Sequence, residues 1–469
     1  MATISDSCAG LIRRLQTELG QTAVLTDPAD RWAYGYDNSR RQTLPAAVVM
    51  AEDHESVVRT ILACDGHQVP LTVRGRGTGT AGAAVPSEDG IVLSTERMAR
   101  IIEIDHGNRV AVVQAGVING DLQRAAAAHG FFWPPDPTSA DYCSIGGNLG
   151  CNAAGPRAVK YGTPRENTLG LRAVTGDGRS LRTGCYTTKG VVGYDLTRLL
   201  IGSEGTLAVI TEATLKLTPL PEQIMTLRAV YSDMAAAADA VSRVMAQPVV
   251  PRVLEFMDSA AIGLVRRSAP DSLPVDAGAL LLIEVDGASG TLQIFADAVA
   301  DAASGPGMIS LQTASDKAAV AALWASRKAL SPALRQIAPK KINEDVVVPV
   351  SRMAQLTTAL ESMAKEFSVT IVSFGHAGNG NIHVNILGDP AVSGETERMA
   401  GCMEAMFRKV LALGGTLSGE HGIGFDKREA VALEIEPPTL EIMRRIKTDF
   451  DPRGILNPGK LFPDVAAPT

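Results

Sequence analysis

The residues best suited to chemistry sit in two short glycine-rich segments near the C-terminal end. One is Gly375-His376-Ala377-Gly378-Asn379-Gly380-Asn381-Ile382-His383-Val384-Asn385, with two imidazoles and amides on tight backbone. The other is Ser418-Gly419-Glu420-His421-Gly422, a carboxylate beside a third imidazole. The chain has only seven histidines, and three of them fall here. Two His and one Glu are a sufficient ligand set for a divalent metal with an open position. His376, His383 and Glu420 would fill it, leaving His421 as a base that works near neutral pH. The plainer alternative is a set of satisfied buried histidines. Upstream lie glycine-rich loops suited to a large phosphate-bearing cofactor, so cofactor, metal and base together read as an oxidoreductase.

The elements that position these groups are legible from periodicity. Residues 369–374 and 382–387 are strand-like, and the Gly-Asn-Gly between them is turn chemistry. A hairpin there brings His376 and His383 to facing positions. His383 and Asn385 share one face of the second strand, and Ile382, Val384 and Ile386 share the other. From about residue 223, strand candidates at 224–231, 250–257, 279–286, 342–349 and 369–374 alternate with Ala-rich helices at 233–246, 290–303, 316–330 and 352–366. This cadence suits a sheet with helices on one face. Residues 45–220 are instead short apolar runs broken by Gly and Pro, a mixed α/β segment with many turns.

Three glycine-rich loops lie in that first region. Arg74-Gly75-Arg76-Gly77-Thr78-Gly79-Thr80-Ala81-Gly82 follows the strand-like 70–73, so its backbone N–H groups can converge on an anion with Arg and Thr beside them. It contains G-x-G-x-x-G, but that dinucleotide fingerprint must open a helix. Here 83–90 turns directly into another strand, so the Rossmann reading is rejected. The second loop runs from Pro134-Pro135-Asp136-Pro137-Thr138-Ser139 through Ser144-Ile145-Gly146-Gly147-Asn148-Leu149-Gly150-Cys151-Asn152-Ala153-Ala154-Gly155. So many small residues fit a flat group lying on backbone, or equally a crossover packed under a helix. The third is Ile201-Gly202-Ser203-Glu204-Gly205-Thr206-Leu207, a turn feeding a strand.

Taken together and in order, these motifs resemble a known family. RGRGTGTAG, PPDPTS with SIGGNLGCNAAGPR and KYG, and IGSEGTLAVIT look like the FAD-binding domain of the vanillyl-alcohol oxidase / p-cresol methylhydroxylase flavoproteins. GHAGNGNIHVN, SGEHGIG and GILNPGKLFP look like the D-2-hydroxyacid dehydrogenase branch. That branch includes D-lactate and D-2-hydroxyglutarate dehydrogenases and the flavin subunit of glycolate oxidase. The resemblance implies an α+β fold: a two-part FAD-binding domain of the p-cresol methylhydroxylase type plus an antiparallel-sheet substrate (cap) domain with helices on one face. The expected domains are 1–222 for FAD, 223–412 for substrate and part of the metal site, and 413–469 returning to the FAD domain.

The same resemblance carries roles onto residues. Arg74, Gly75, Arg76, Gly77, Thr78 and Gly79 would hold the FAD pyrophosphate. Pro135, Asp136, Ser139, Gly146, Gly147, Asn148 and Asn152 would lie along the flavin and ribityl chain, and Ile210 would flank the adenine side. FAD is expected to be noncovalent, because His67 and His106 fit no attachment pattern. His376, His383 and Glu420 match the metal ligands and His421 the catalytic base. Zn²⁺ is the first choice of metal, with Mn²⁺, Fe²⁺ or Co²⁺ compatible. Arg327 matches a carboxylate-binding arginine, and Ser331, Lys341 and Asn385 are further substrate-pocket candidates. In the 2-hydroxyglutarate branch a Lys stands where Asn343 stands here, which counts against a diacid. The expected reaction is therefore oxidation of a D-lactate-like acid, with D-2-hydroxyglutarate or glycolate as alternatives.

Bulk properties narrow the classes. Hydrophobic residues make up 45% and charged residues 20% of the 469, as in ordinary globular proteins. A net charge of −7 without a basic block argues against nucleic acid. None of the six cysteines forms a C-x-x-C pair, so no iron–sulfur or zinc-ribbon site is expected and the cytoplasm is the default, with peripheral membrane attachment compatible. No apolar run reaches the roughly 18 residues of a spanning helix. The electron acceptor expected is a quinone, a cytochrome or an electron-transfer flavoprotein, and the sheet within 224–370 could form a homodimer. Two other readings stand beside this one: a metallohydrolase whose glycine loops merely turn, and a non-catalytic flavin-binding or scaffold protein.

Overall fold

The computed structural model describes residues 5–268, 273–334 and 337–464. The chain divides into two compact units. Unit 1 comprises Met1–Gly155, Gly162–Leu220 and Glu420–Thr469, and unit 2 comprises Pro156–Tyr161 and Pro221–Gly419.

Unit 1 is built on two sheets. Strands β1 (Val24–Leu25), β2 (Ala47–Met50), β3 (Leu71–Arg74) and β4 (Ile91–Ser94) lie in the order β1-β2-β4-β3. β2, β4 and β3 run parallel, and every residue of β2 and β4 is buried. Continuous apolar runs of this kind belong to strands covered on both faces. Leu11 and Leu15 of the helix Asp6–Leu19 and Ile61 of the helix His54–His67 share a core with Leu71 and Ile91. Asp53 starts the second of these helices by accepting from the Ser56 N–H, and Ser56 caps back in return.

The second sheet is antiparallel and contains β5 (Ile101–Asp105), β6 (Val110–Gln114), β8 (Thr168–Thr175), β9 (Ser180–Gly184) and β10 (Ala208–Lys216), ordered β5-β6-β10-β8-β9. A small ribbon pairs β7 (Phe131–Phe132) with β11 (Thr218–Pro219). The C-terminal segment completes this unit. Leu456 forms a parallel bridge with Leu71, and the Asn457 N–H donates to the Leu71 carbonyl at 2.8 Å.

Unit 2 is a seven-stranded antiparallel sheet of β12 (Gln223–Tyr231), β13 (Val253–Met257), β14 (Ala279–Gly287), β15 (Met308–Ala314), β16 (Lys340–Val347), β17 (Thr370–His376) and β18 (Asn381–Gly388). The order is β15-β12-β14-β13-β17-β18-β16. β15 is the strand that the sequence reading leaves out. It is a largely unburied edge strand, so its apolar signal is weak. On one face, Met257, Leu280, Leu282, Phe374 and Leu387 share a core with Ala261, Ile262, Leu323 and Leu330 from the helices Ser259–Ser268 and Lys317–Leu334. Strand alternation carries this face onward into polar residues: Met257 to Glu255, Leu282 to Glu284 and Asp286, Phe374 to His376, and Leu387 to Asn385 and His383. No helix among the described residues is long and apolar enough to cross a membrane.

Candidate active site

Unit 1 holds a cavity of about 390 Å³ lined largely by glycine, alanine, serine and threonine. The loop after β3 supplies one wall, the helix Ile145–Cys151 another, and the turn before β10 a third. Three glycines in seven residues make a poor helix on propensity alone, and packing explains two of them. A Cβ on Gly146 would stand 2.8 Å from the Ala115 Cβ, while its N–H donates to the Ala115 carbonyl at 2.7 Å, so this turn lies against the end of β6. One turn later, a Cβ on Gly150 would meet no atom within 4 Å beyond its own turn of helix backbone and its chain neighbours. Gly150 lines the cavity, so the space above it is left for a ligand. Gly79 is similar, with only an Asp37 oxygen at 3.9 Å. Bare backbone facing an open cavity, with Thr78, Thr80 and Arg76 beside it, fits a flat, phosphate-bearing cofactor.

Of the residues expected at FAD, Gly75, Arg76, Gly77, Thr78, Gly79, Ser139, Gly146, Gly147, Asn148 and Ile210 line the cavity. Four do not. The Arg74 guanidinium donates to the carbonyls of Tyr36 (2.6 Å) and Ala33 (3.2 Å) and lies 5.8 Å from the Tyr34 ring. It secures the 33–36 segment, because a buried guanidinium is satisfied by the nearest carbonyls. Pro135 is tied by its carbonyl to Asn119, and the Asp136 N–H donates to Ala154, so both serve to hold the loop. Asn152 adopts a left-handed conformation (φ 53°) at the end of the helix, and its side chain accepts from Thr163 and the Arg165 N–H.

Glu420 and His421 line the same cavity. One Glu420 oxygen accepts from the Gly155 N–H at 2.8 Å. The loop carrying His421 is held by Glu204, a residue the sequence reading did not single out. Its carboxylate accepts from the N–H groups of Ile423 (2.5 Å) and Gly424 (2.8 Å). Burial raises the Glu204 carboxyl, and those donors together with Lys460 only partly oppose it. Lys460 is pushed down to about 7 by its own burial, against the opposing pull of Glu204. Its ammonium reaches Asn457 (3.1 Å) and Thr72 (3.3 Å).

In unit 2 the hairpin forms as expected, with Gly380 in the left-handed turn (φ 72°), where a Cβ would sit 1.9 Å from the Val348 carbonyl. The register differs from simple facing. His376 pairs with Asn381 and Phe374 with His383, so the two histidines are diagonal neighbours. Their Nε2 atoms are 3.4 Å apart. Two nitrogens on a tetrahedral zinc, each about 2.05 Å from it, stand about 3.3 Å apart, so the pair has the spacing of shared ligands. The His376 Nδ1 is held by the buried carboxylate of Glu255. Burial alone would raise the Glu255 carboxyl, but His376 and Arg327 hold it below its ordinary range.

Asn385 is fully buried and donates to the Val372 carbonyl at 3.2 Å. Its Oδ1 has no hydrogen-bond partner among the described residues. Asp345, the cross-strand partner of His383, accepts from the Gly419 N–H at 3.0 Å through both its carbonyl and its carboxylate. Gly419 is thereby pinned to β16, and Glu420 is the next residue in the chain. The Arg327 Nε donates to Glu255 at 3.0 Å, and the guanidinium lies 4.5 Å from the Phe374 ring centre. Lys341 shares a face of β16 with Asn343 and Asp345. The Ser331 side chain lies outside the described residues.

Two family profiles match the chain: "FAD binding domain" over residues 45–184 and "FAD linked oxidases, C-terminal domain" over residues 220–461. The chain is 39% identical to the glycolate oxidase subunit GlcD of Bacillus subtilis, covering 92% of this chain and 93% of that one. It is 35% identical to a D-lactate dehydrogenase of Archaeoglobus fulgidus, covering 95% and 98%. Among solved structures, 4-ethylphenol oxidase from Gulosibacter chungangensis superposes with a TM-score of 0.79 at 17% identity, covering 98% of both chains. p-Cresol methylhydroxylase superposes with 0.79 at 16% identity, also covering 98% of both. At such identities the structural likeness speaks to the fold alone. The resemblance read from the motifs, and the α+β fold it implies, are borne out.

Proposed function

Because the chain belongs to the FAD-linked oxidases, we propose that it oxidises a D-2-hydroxyacid of the D-lactate type to the 2-oxoacid, with noncovalent FAD and a divalent metal held by His376, His383 and Glu420. FAD supplies the hydride acceptor when bound. The metal supplies a Lewis acid that lowers the pKa of the substrate hydroxyl. The residues do the rest. The observation that carries this reading is that His421 lines the glycine-walled cavity expected to hold the flavin. A base beside a hydride acceptor is the pairing that alcohol oxidation needs, since one group takes the hydroxyl proton and the other the α-hydrogen.

Glu204 fixes the backbone on which that base rides. Arg327 offers the planar fork that a carboxylate takes. Its Nη atoms make no hydrogen bond among the described residues, since its one such bond is from Nε. The orphaned Asn385 Oδ1 awaits a hydroxyl or a metal-bound water on the same strand face as His383. The spacing of the two histidine nitrogens supports the metal, with Zn²⁺ first on ligand type. The 39% identity to a glycolate oxidase subunit favours a second reading, in which a partner carries electrons onward.

An anaerobic visible spectrum before and after D-lactate, L-lactate, glycolate and D-2-hydroxyglutarate tests the proposal. Bleaching of a flavin band by D-lactate, abolished by chelation, is the expected result. Bleaching by glycolate alone, with co-purification of an iron–sulfur protein, would favour the second reading. A flavin that no acid reduces would sink both.

A further inference from the structure

We infer that Glu255 is a positioning residue: one buried carboxylate orients both His376 as a metal ligand and Arg327 as the substrate-carboxylate clamp, so that the two binding functions are coupled through its two oxygens. The inference deepens the metal-dependent reading above and rests on it.

Glu255 is the single ionisable residue of the strand Val253–Met257 and is 2% exposed. A buried carboxylate is retained only where partners offset its desolvation, and here each oxygen has one. Oε1 takes His376 Nδ1, its cross-strand neighbour, and Oε2 takes Arg327 Nε at 3.0 Å. A carboxylate on Nδ1 fixes the tautomer in which Nε2 presents its lone pair. That Nε2 is the atom standing 3.4 Å from His383 Nε2. On the other side, Glu255 and the Phe374 ring together set the plane of the Arg327 guanidinium. Phe374 lies two residues before His376 on the same strand face, so one rigid patch of β13 and β17 aligns both groups.

The site needs two acceptors, and an amide offers one acceptor and one donor. In Glu255→Gln the side chain must therefore fail one partner. Arginine cannot give up its Nε proton, whereas a neutral imidazole can exchange tautomers. The amide carbonyl thus faces Arg327 and its NH₂ faces His376, which turns the His376 Nε2 into an N–H and removes a ligand. Glu255→Ala fails both partners.

The experiment measures Zn²⁺ affinity of the FAD-loaded full chain by competition with a fluorescent chelator, and KM for D-lactate at saturating metal. Flavin content, which unit 1 determines, and circular dichroism check the fold. Glu255→Gln is expected to weaken Zn²⁺ binding about 10- to 100-fold, with KM at saturating metal within about threefold of wild type. Glu255→Ala is expected to weaken Zn²⁺ binding as much and also to raise KM about tenfold, the scale of one charge-assisted hydrogen bond. Zn²⁺ affinity in Glu255→Gln within twofold of wild type overturns the inference, as does a Glu255→Ala variant with wild-type KM at saturating metal. If Glu255→Ala does not fold, ¹⁵N-histidine spectra of the metal-free wild type decide instead. The expected signal is one imidazole fixed as the Nδ1–H form, and its absence overturns the inference. A wild-type chain that takes up no metal would remove the metal reading itself, a result distinct from these.

Discussion

Gly146 and Gly150 lie one turn apart on the same helix and should answer to alanine in opposite ways. At Gly150 a methyl group enters open cavity, with no atom within 4 Å beyond its own helix backbone and chain neighbours. The metal- and flavin-free chain gains helix propensity there, about 0.5–1 kcal/mol for a position near the helix end. In a chain of this size that is a rise of a few degrees at most in the apo melting temperature. The same methyl stands where a flat cofactor would rest, and overpacking against a rigid partner costs about 1–3 kcal/mol. FAD affinity should then fall by about 5- to 150-fold. At Gly146 the methyl would press on the Cβ and carbonyl of Ala115 at 2.8 and 3.0 Å, so the apo chain itself should lose stability, by about 1–3 kcal/mol. The assay is thermal unfolding of stripped protein together with FAD titration by flavin fluorescence. If Gly150→Ala binds FAD as wild type does, the flavin does not lie over this helix, and the reading of the glycine-walled cavity fails.

Two further substitutions probe the loop that carries His421. In Glu204→Gln the amide can accept only one of the two N–H groups of Ile423 and Gly424. The orphaned donor costs about 1–3 kcal/mol, so kcat on D-lactate should fall while the flavin spectrum persists; an unchanged kcat would mean the loop is held otherwise. Lys460→Met tests the buried ammonium through pH. Lys460 sits at about 7 in the folded chain against an ordinary 10.5, so between these values the unfolded chain binds the extra proton. Wild-type stability should therefore rise relative to Lys460→Met from about pH 7 to pH 10, by on the order of a few kcal/mol. Urea midpoints at both pH values give the difference, and parallel curves for the two proteins would refute it.

Much of the site is legible because its residues are conspicuous by type. Glycine runs after strands mark backbone that must approach something closely, and rare histidines among glycines draw the eye to the hairpin, where His376 and His383 are both buried. What escapes is whatever depends on a partner far along the chain. Glu255 meets His376 across 121 positions, and Glu204 meets Ile423 across 219. The only local sign of Glu255 is a charge in an otherwise apolar strand, and Glu204 hides inside a turn motif whose glycines draw the eye. Arg74 shows the converse. Beside a glycine loop its charge reads as an anion clamp, yet the side chain is aimed by the carbonyls of residues 33 and 36, which no local pattern announces. The hairpin register is similar: strands and turn are plain, but the diagonal offset of the histidines follows from the three-residue helical turn Ala377–Asn379 in the loop.

The return of Glu420–Thr469 into unit 1 fixes an order of events during synthesis. Leu71 waits for Leu456, and the cavity walled by the first two loops waits for Glu420 and His421. All of Pro221–Gly419 leaves the ribosome in between. The sheet of unit 2 is contiguous in that stretch, with its histidines and Glu255 already in register, so it can form while the earlier half is still unfinished. Contacts of such long sequence separation form late. The cavity lined by Glu420 and His421 is therefore complete only after the chain has been made past residue 421, long after its first two walls.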